Sequence, residues 1–337
     1  MSYKRFIFYF FLYPFLLIGT LFSLNCVIDP LGITDHNLLN IKYKFARDDR
    51  VEKVERIKKI PQIDNLILGS SRSQHIDPKI LGEYFGGVSY NFGVGGGNTA
   101  DALGILLYLQ KSHKLPKHTL LTLDFSTFFG DALHPTFYKL PELNFYDSNM
   151  KEPSQVAKLL SIDAVRASFK TLKAHIKGTI PNTYFDESGF MVSRVIKEID
   201  PKIIDEQSHT YVNNIYANNG SNISDERLRN LAAIVDLCRQ NGIDLRVTLT
   251  PLFFTQYELI QKNTLLARNL ELFKERLAAI TPFYDAMVVN EYIKEYGYFE
   301  ENVHTNEKYG KLYLEAIYKS MHTGLVTLRV RELLSPL

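Results

Sequence analysis

The chain opens with one long apolar run and then changes rhythm. Residues 6–28, "FIFYFFLYPFLLIGTLFSLNCVI", carry no charge and are long enough to cross a bilayer as a helix. Pro14 lies inside the run, which membrane helices accept more readily than soluble ones. Residues 29–62 form a polar connector. "IDPLGITD" is rich in turn residues, and "KYKFARDDRVEKVERIKKI" alternates in charge sign, the pattern of a solvated helical stalk.

From residue 63 short apolar runs alternate with amphipathic stretches. The runs predict strands at 65–70, 87–94, 118–126, 243–251 and 283–289, short and bounded by polar residues as buried parallel strands are. Between them, "DPKILGEYF" predicts a helix with Asp77 as N-cap and Pro78 at its first position. Residues 98–112 predict another, with Asn98 or Thr99 near its cap. Residues 224–242 predict a third, capped by Ser224 and stopped by Gly242. "YELIQKNTLLARNLELFKERLAAI" and "TNEKYGKLYLEAIYKSM" are amphipathic and helical. Residues 130–222 break the rhythm and read as a helical insertion or lid, and 323–337 as a C-terminal tail. The alternation implies an α/β domain over 63–322 with a mainly parallel sheet covered on both faces. In such sheets functional groups gather at the carboxyl ends of strands, here Gly69–Arg72, Gly93–Asn98, Asp124–Thr127 and Thr250–Pro251.

Composition adds limits. At 337 residues the chain holds one large domain, or one domain with an insertion. A net charge of +2 gives no support to a nucleic-acid partner. Lys4 and Arg5 precede the apolar run and no Lys or Arg follows until Lys42, so the positive-inside rule puts the N-terminus in the cytoplasm and the rest outside, with 1–28 as a retained anchor. A cleaved signal peptide and a buried soluble helix are the rival readings. Cys26 and Cys238 fall in the apolar run and in an amphipathic helix. No disulfide is expected between them, and two isolated cysteines make no zinc site.

Three stretches carry candidate chemistry. In "LILGSSRS" (66–73) Ser70 or Ser71 sits where a strand turns. A serine becomes a nucleophile only beside a base; otherwise it is a helix cap. In "YFEENVHTNEKYG" (298–310) Glu301 precedes His304 by three residues, so the carboxylate can orient the imidazole as in a serine triad. Alternatively His304 is a residue of the cap before the last helix. No second His lies at metal-binding spacing, and neither metal nor cofactor is expected. In "NFGVGGGN" (91–98) glycines before a helix leave backbone N–H groups open to an anion. The glycine spacing is not that of a dinucleotide loop.

Taken in order, these stretches resemble the SGNH (GDSL-type) hydrolase superfamily, and within it the membrane-anchored bacterial members tied to cell-envelope polysaccharides and acyl transfer. The resemblance covers roughly 62–128 and 224–322 and leaves the insertion outside. It implies a flavodoxin-like three-layer α/β/α fold. The family's Gly-Asp-Ser block is Gly69-Ser70-Ser71 here, implying Ser71 as nucleophile. Its Asn-x-Gly-x-x-Gly block is Asn91-Phe92-Gly93-Val94-Gly95-Gly96, implying the Gly96 amide in an oxyanion hole. Its Asp-x-x-His block is Glu301-Asn302-Val303-His304, implying His304 as base and Glu301 as the acid that orients it. The family's oxyanion asparagine has no counterpart. "TLDFS" with Asp124 stands in its place, so Arg72, Asn98, Ser126 and Thr127 become the candidate donors.

The resemblance implies a serine esterase or O-acyltransferase acting on acylated envelope glycan. It would sit on the inner membrane with its α/β domain in the periplasm and meet protein partners of envelope assembly. A non-catalytic scaffold of the same fold that binds glycan or a partner protein is the alternative. A soluble flavodoxin-like binder is the third. A Ser71–His304 separation near ~3 Å fits the enzyme; a gap beyond about ~7 Å fits the scaffold.

Overall fold

The computed structural model describes residues 3–34, 38–44, 48–193, 200–217, 222–290 and 292–319. The expected tail at 323–337 lies outside them. In chain order the elements are α1 (Tyr3–Ile28), α2 (Asp49–Lys59), β1 (Asn65–Leu68), α3 (Lys79–Phe85), β2 (Ser89–Asn91), α4 (Thr99–Lys111) and β3 (His118–Leu123). Then follow α5 (Gln155–Leu159), α6 (Ile162–Ile176), β4 (Thr183–Phe185), β5 (Met191–Ser193) and α7 (Pro201–Tyr211). The chain closes with α8 (Asp225–Gln240), β6 (Asp244–Leu249), α9 (Phe254–Lys262), α10 (Thr264–Ala278), β7 (Tyr284–Asp285) and α11 (Glu307–Lys319). These elements form two compact units. One comprises residues 1–60 and 147–184, the other 61–146 and 185–337. The stretch 130–222 is therefore shared between them.

The larger unit is the α/β domain. Its five strands run parallel in the order β2-β1-β3-β6-β7. Counted within the sheet this is 2-1-3-4-5, the doubly wound flavodoxin-like order, whose switch point lies between β1 and β3. Leu66 pairs with Tyr90 of β2 and Thr119 of β3. Leu66, Ile67, Leu68, Leu120, Leu121 and Leu249 are buried, as the unbroken apolar runs of a sheet covered on both faces require. On one face Ile67 and Leu120 pack with Leu81 of α3 and Leu314 and Ile317 of α11. The strands are shorter than the apolar pattern predicts. Buried apolar residues such as Val94 and Phe125 continue past the last sheet pairing and fill the core from a loop and from the 3-10 turn Phe125–Phe128. The predicted caps form on α4 and α8, whereas the N-cap of α3 is Pro78 and not Asp77, because the helix starts one residue later than predicted. Asn98 and Asp101 make a capping box on α4, the Ser224 side chain accepts from Arg227 N on α8, and Asp77 Oδ1 accepts from Lys79 N at the start of α3.

The smaller unit is helical. α1 is long and apolar enough to cross a membrane or to act as a signal sequence. Its residues up to Thr20 are almost all exposed, whereas Asn25 and Ile28 are buried. There α5 and α6 pack against it, and Asn25 Nδ2 donates to Leu159 O at 2.6 Å. Asp29 ends the helix by accepting from Ile33 N at 2.7 Å and from Lys44 Nζ at 3.1 Å. Glu55 of α2 receives Lys58 at 3.2 Å and Lys158 of α5 at 2.7 Å. Both cysteines are free.

Candidate active site

β1 delivers the turn that carries the candidate nucleophile. At its end Gly69 passes so close to β3 that an added Cβ would lie 2.0 Å from Thr122 Oγ1, so a side chain is excluded. The Ser70 hydroxyl accepts from Arg72 N at 3.1 Å and donates to Asp124. Ser71 then starts a single 3-10 turn, Ser71–Ser73, and is half-buried. The expected cap and the expected nucleophile are thus two adjacent residues: Ser70 caps, which leaves Ser71 free to point elsewhere.

The Ser71 hydroxyl meets His304. Its Oγ lies 2.7 Å from His304 Nε2, and His304 Nδ1 faces Glu301 Oε1. His304 is held by a tight loop. Phe299 and Thr305 form an antiparallel bridge, Glu300 N donates to His304 O at 2.9 Å, and His304 N donates to Glu301 Oε1 at 2.9 Å. Gln256 of α9 donates to Asn302 O and ties the loop to the domain. Burial pushes the Glu301 carboxyl up. The hydrogen bond and charge of His304, with the His304 and Val303 amides, outweigh burial and leave it below the ordinary carboxylate range. With a carboxylate on Nδ1, the neutral ring carries its proton there and offers a lone pair on Nε2 to the Ser71 proton.

The glycine loop is seated on the same turn. Val94 N donates to Gly69 O at 3.1 Å, and Gln74 Nε2 donates to Gly93 O at 3.2 Å. Gly96 is exposed, with φ +60°, a left-handed conformation that glycine adopts without strain. The N–H groups of Ser71 and Gly96 have no hydrogen-bond partner among the described residues.

Of the other candidate donors, Asn98, Arg72 and Thr127 are each tied into the fold by a side-chain hydrogen bond, and Ser126 is half-buried in the 3-10 turn Phe125–Phe128. Asn98 Oδ1 accepts from Ala100 N at 2.8 Å and from Arg227 Nη1 at 2.9 Å. Arg72 is buried, donates to Pro251 O at 3.0 Å and has Nε 3.9 Å from Asp124. Burial works against its charge, and Asp124, with the phenol oxygens of Tyr216 and Tyr211, outweighs burial and holds the guanidinium above its ordinary value. Thr127 Oγ1 donates to Asp124 O at 2.8 Å. Asp124 also accepts from Thr250. Ser70, Asp124, Thr250 and Arg72 therefore join the ends of β1, β3 and β6 in one buried polar cluster, with the Asp124 charge answered by Arg72.

Two features have no counterpart in the sequence reading. Glu300 accepts from Ser193 Oγ on β5 at 3.0 Å and lies 3.5 Å from His75 Nδ1. The second is an open groove of about 540 Å³ lined by Glu206, Gln207, Thr210 and Tyr211 of α7, by Asn214 of the π-helix Val212–Ala217, and by Asn302. Neither leaves a motif, since both join segments far apart in the chain. Among the described residues no cluster of three or more His, Cys, Asp or Glu is placed to hold a metal. No family model matches the chain, and no curated protein matches it.

Proposed function

We propose that the chain is a membrane-anchored serine esterase or O-acyltransferase of the SGNH type, acting outside the cytoplasm on acylated envelope glycan. The observation that carries this reading is the 2.7 Å approach of His304 Nε2 to Ser71 Oγ, with Glu301 on the far side of the ring. His304 takes the Ser71 proton as Oγ attacks an ester carbonyl, and Glu301 stabilises the imidazolium that forms. The unpartnered Ser71 and Gly96 amides are the donors available to an oxyanion, in place of the missing asparagine. His304 then returns the proton to the leaving alcohol, and an acyl-enzyme on Ser71 remains. Water or a sugar hydroxyl resolves it.

The groove supplies room for the sugar. Its volume falls in the range of ligand clefts, about 300–1,000 Å³, and it runs beside Asn302, the neighbour of Glu301. Its lining joins Ile203 and Ile215 to amide, hydroxyl and phenol groups, with one acid and no base, which suits the mixed apolar and hydroxyl faces of a neutral sugar. The test is turnover of p-nitrophenyl acetate by the full chain in detergent, with and without oligosaccharide acceptors. Wild type turns over and Ser71→Ala falls to background. Unchanged turnover in Ser71→Ala sinks the assignment and leaves the scaffold reading.

A further inference from the structure

The outward face of α6 pairs an apolar ridge with a row of bases. Ile162, Phe169 and Ile176 recur every seven residues and are 69%, 56% and 75% exposed. At helical spacing they share one face. Arg166, Lys170, Lys173 and Lys177 lie alongside this ridge, all exposed, and none pairs with an acid among the described residues. The opposite face, Ala164, Ala167, Ser168, Thr171 and Ala174, is buried. A soluble helix inverts this pattern, with large apolar residues inside and small or polar ones outside.

The position of α6 says what covers the ridge. α1 is exposed up to Thr20 and covered only in its last two turns, where α6 packs and where Leu159 O meets Asn25. About 20 residues cross the hydrocarbon core, so α6 lies where a spanning α1 leaves it. We propose that α6 docks in the headgroup layer of the membrane that α1 crosses. Ile162, Phe169 and Ile176 enter the acyl boundary, and the four bases meet negatively charged phospholipid headgroups. Basic side chains flanking an apolar ridge bury their stems and keep their charges at the interface. This inference rests on α1 as an anchor and is independent of the chemistry at Ser71.

The chain contains no Trp, so Phe169→Trp in the full chain gives a signal from one position. The protein is placed in nanodiscs of phosphatidylcholine alone, or of phosphatidylcholine and phosphatidylglycerol in equal parts, with brominated acyl chains as quencher. Incorporation into discs reads the anchor; quenching reads α6. In the anionic discs the account expects blue-shifted emission quenched by the brominated lipid and released by high salt. Each base near an anionic surface contributes about a fivefold factor to docking. Quenching therefore drops in neutral discs, and in anionic discs when Arg166→Glu, Lys170→Glu and Lys173→Glu are combined. Water-like, unquenched emission in incorporated protein overturns the docking and leaves the anchor standing. Quenching indifferent to lipid charge, salt and charge reversal overturns the headgroup recognition. A chain that stays out of the discs removes both.

Discussion

Glu300 and Glu301 are neighbours in the sequence, each faces a histidine, and they do different things. Glu301 holds Nδ1 of His304, whose other nitrogen reaches a serine hydroxyl at 2.7 Å. Glu300 sits 3.5 Å from His75, too long for a good hydrogen bond, and takes the Ser193 hydroxyl instead. Their acidities part as well. Glu301 lies below its ordinary value, because His304 and two amides overcome burial. Glu300 is raised, first by burial and then by the Glu301 charge, against the opposing pull of Ser193 and His304. A histidine beside an acid is thus not by itself a catalytic pair. What sets the Glu301–His304 pair apart is a serine hydroxyl on the free ring nitrogen and a carboxyl held below its ordinary value.

The contrast is broken or sharpened by substituting both pairs. His304→Gln is expected to lower ester turnover by about 10²–10⁴-fold, the range of general base catalysis. His75→Gln, with the two rings 6.2 Å apart, costs less than tenfold by the same measure. Equal losses would erase the distinction. Glu301→Gln removes the charge that stabilises the imidazolium and lowers turnover by about 10²-fold, whereas Glu300→Gln stays short of that lower edge.

The smallest effects are on stability against pH. Glu301 is lowered in the folded state, so its contribution is present above the ordinary carboxylate value of about 4.3 and is lost as pH falls through its folded value. Glu300 is raised, so stability falls as pH climbs from that ordinary value to its folded one. Thermal unfolding of the full chain across this range is expected to show Glu301→Gln losing stability at neutral pH and Glu300→Gln keeping or gaining it. The reverse ranking would contradict the assigned directions.

Local chemistry was legible in the sequence wherever the partners are close along the chain. Glu301 and His304 are three residues apart, and the Asn98–Asp101 box and the Ser224 cap are equally local. The strand rhythm set the sheet because strands buried on both faces are mainly apolar along their length. The strand ends were not legible, since Phe125 in its 3-10 turn and Val94 in its loop are as buried as they would be in strands. In the sequence Asp124 stands where the family's oxyanion asparagine would be. Its partners Ser70, Arg72 and Thr250 come from two other strand ends, and only folding brings them together. The Glu300–Ser193 contact joins residues 107 apart, which no spacing announces. The groove likewise needs α7 and Asn302 together.

The most direct measurement is the intact mass of the full chain after brief exposure to a fluorophosphonate, with the adduct mapped by peptide sequencing. The account predicts one adduct on Ser71, absent in Ser71→Ala and formed far more slowly in His304→Gln, with Ser70 unmodified. Unlabelled Ser71 in folded protein, or labelling at the same rate without His304, would contradict it.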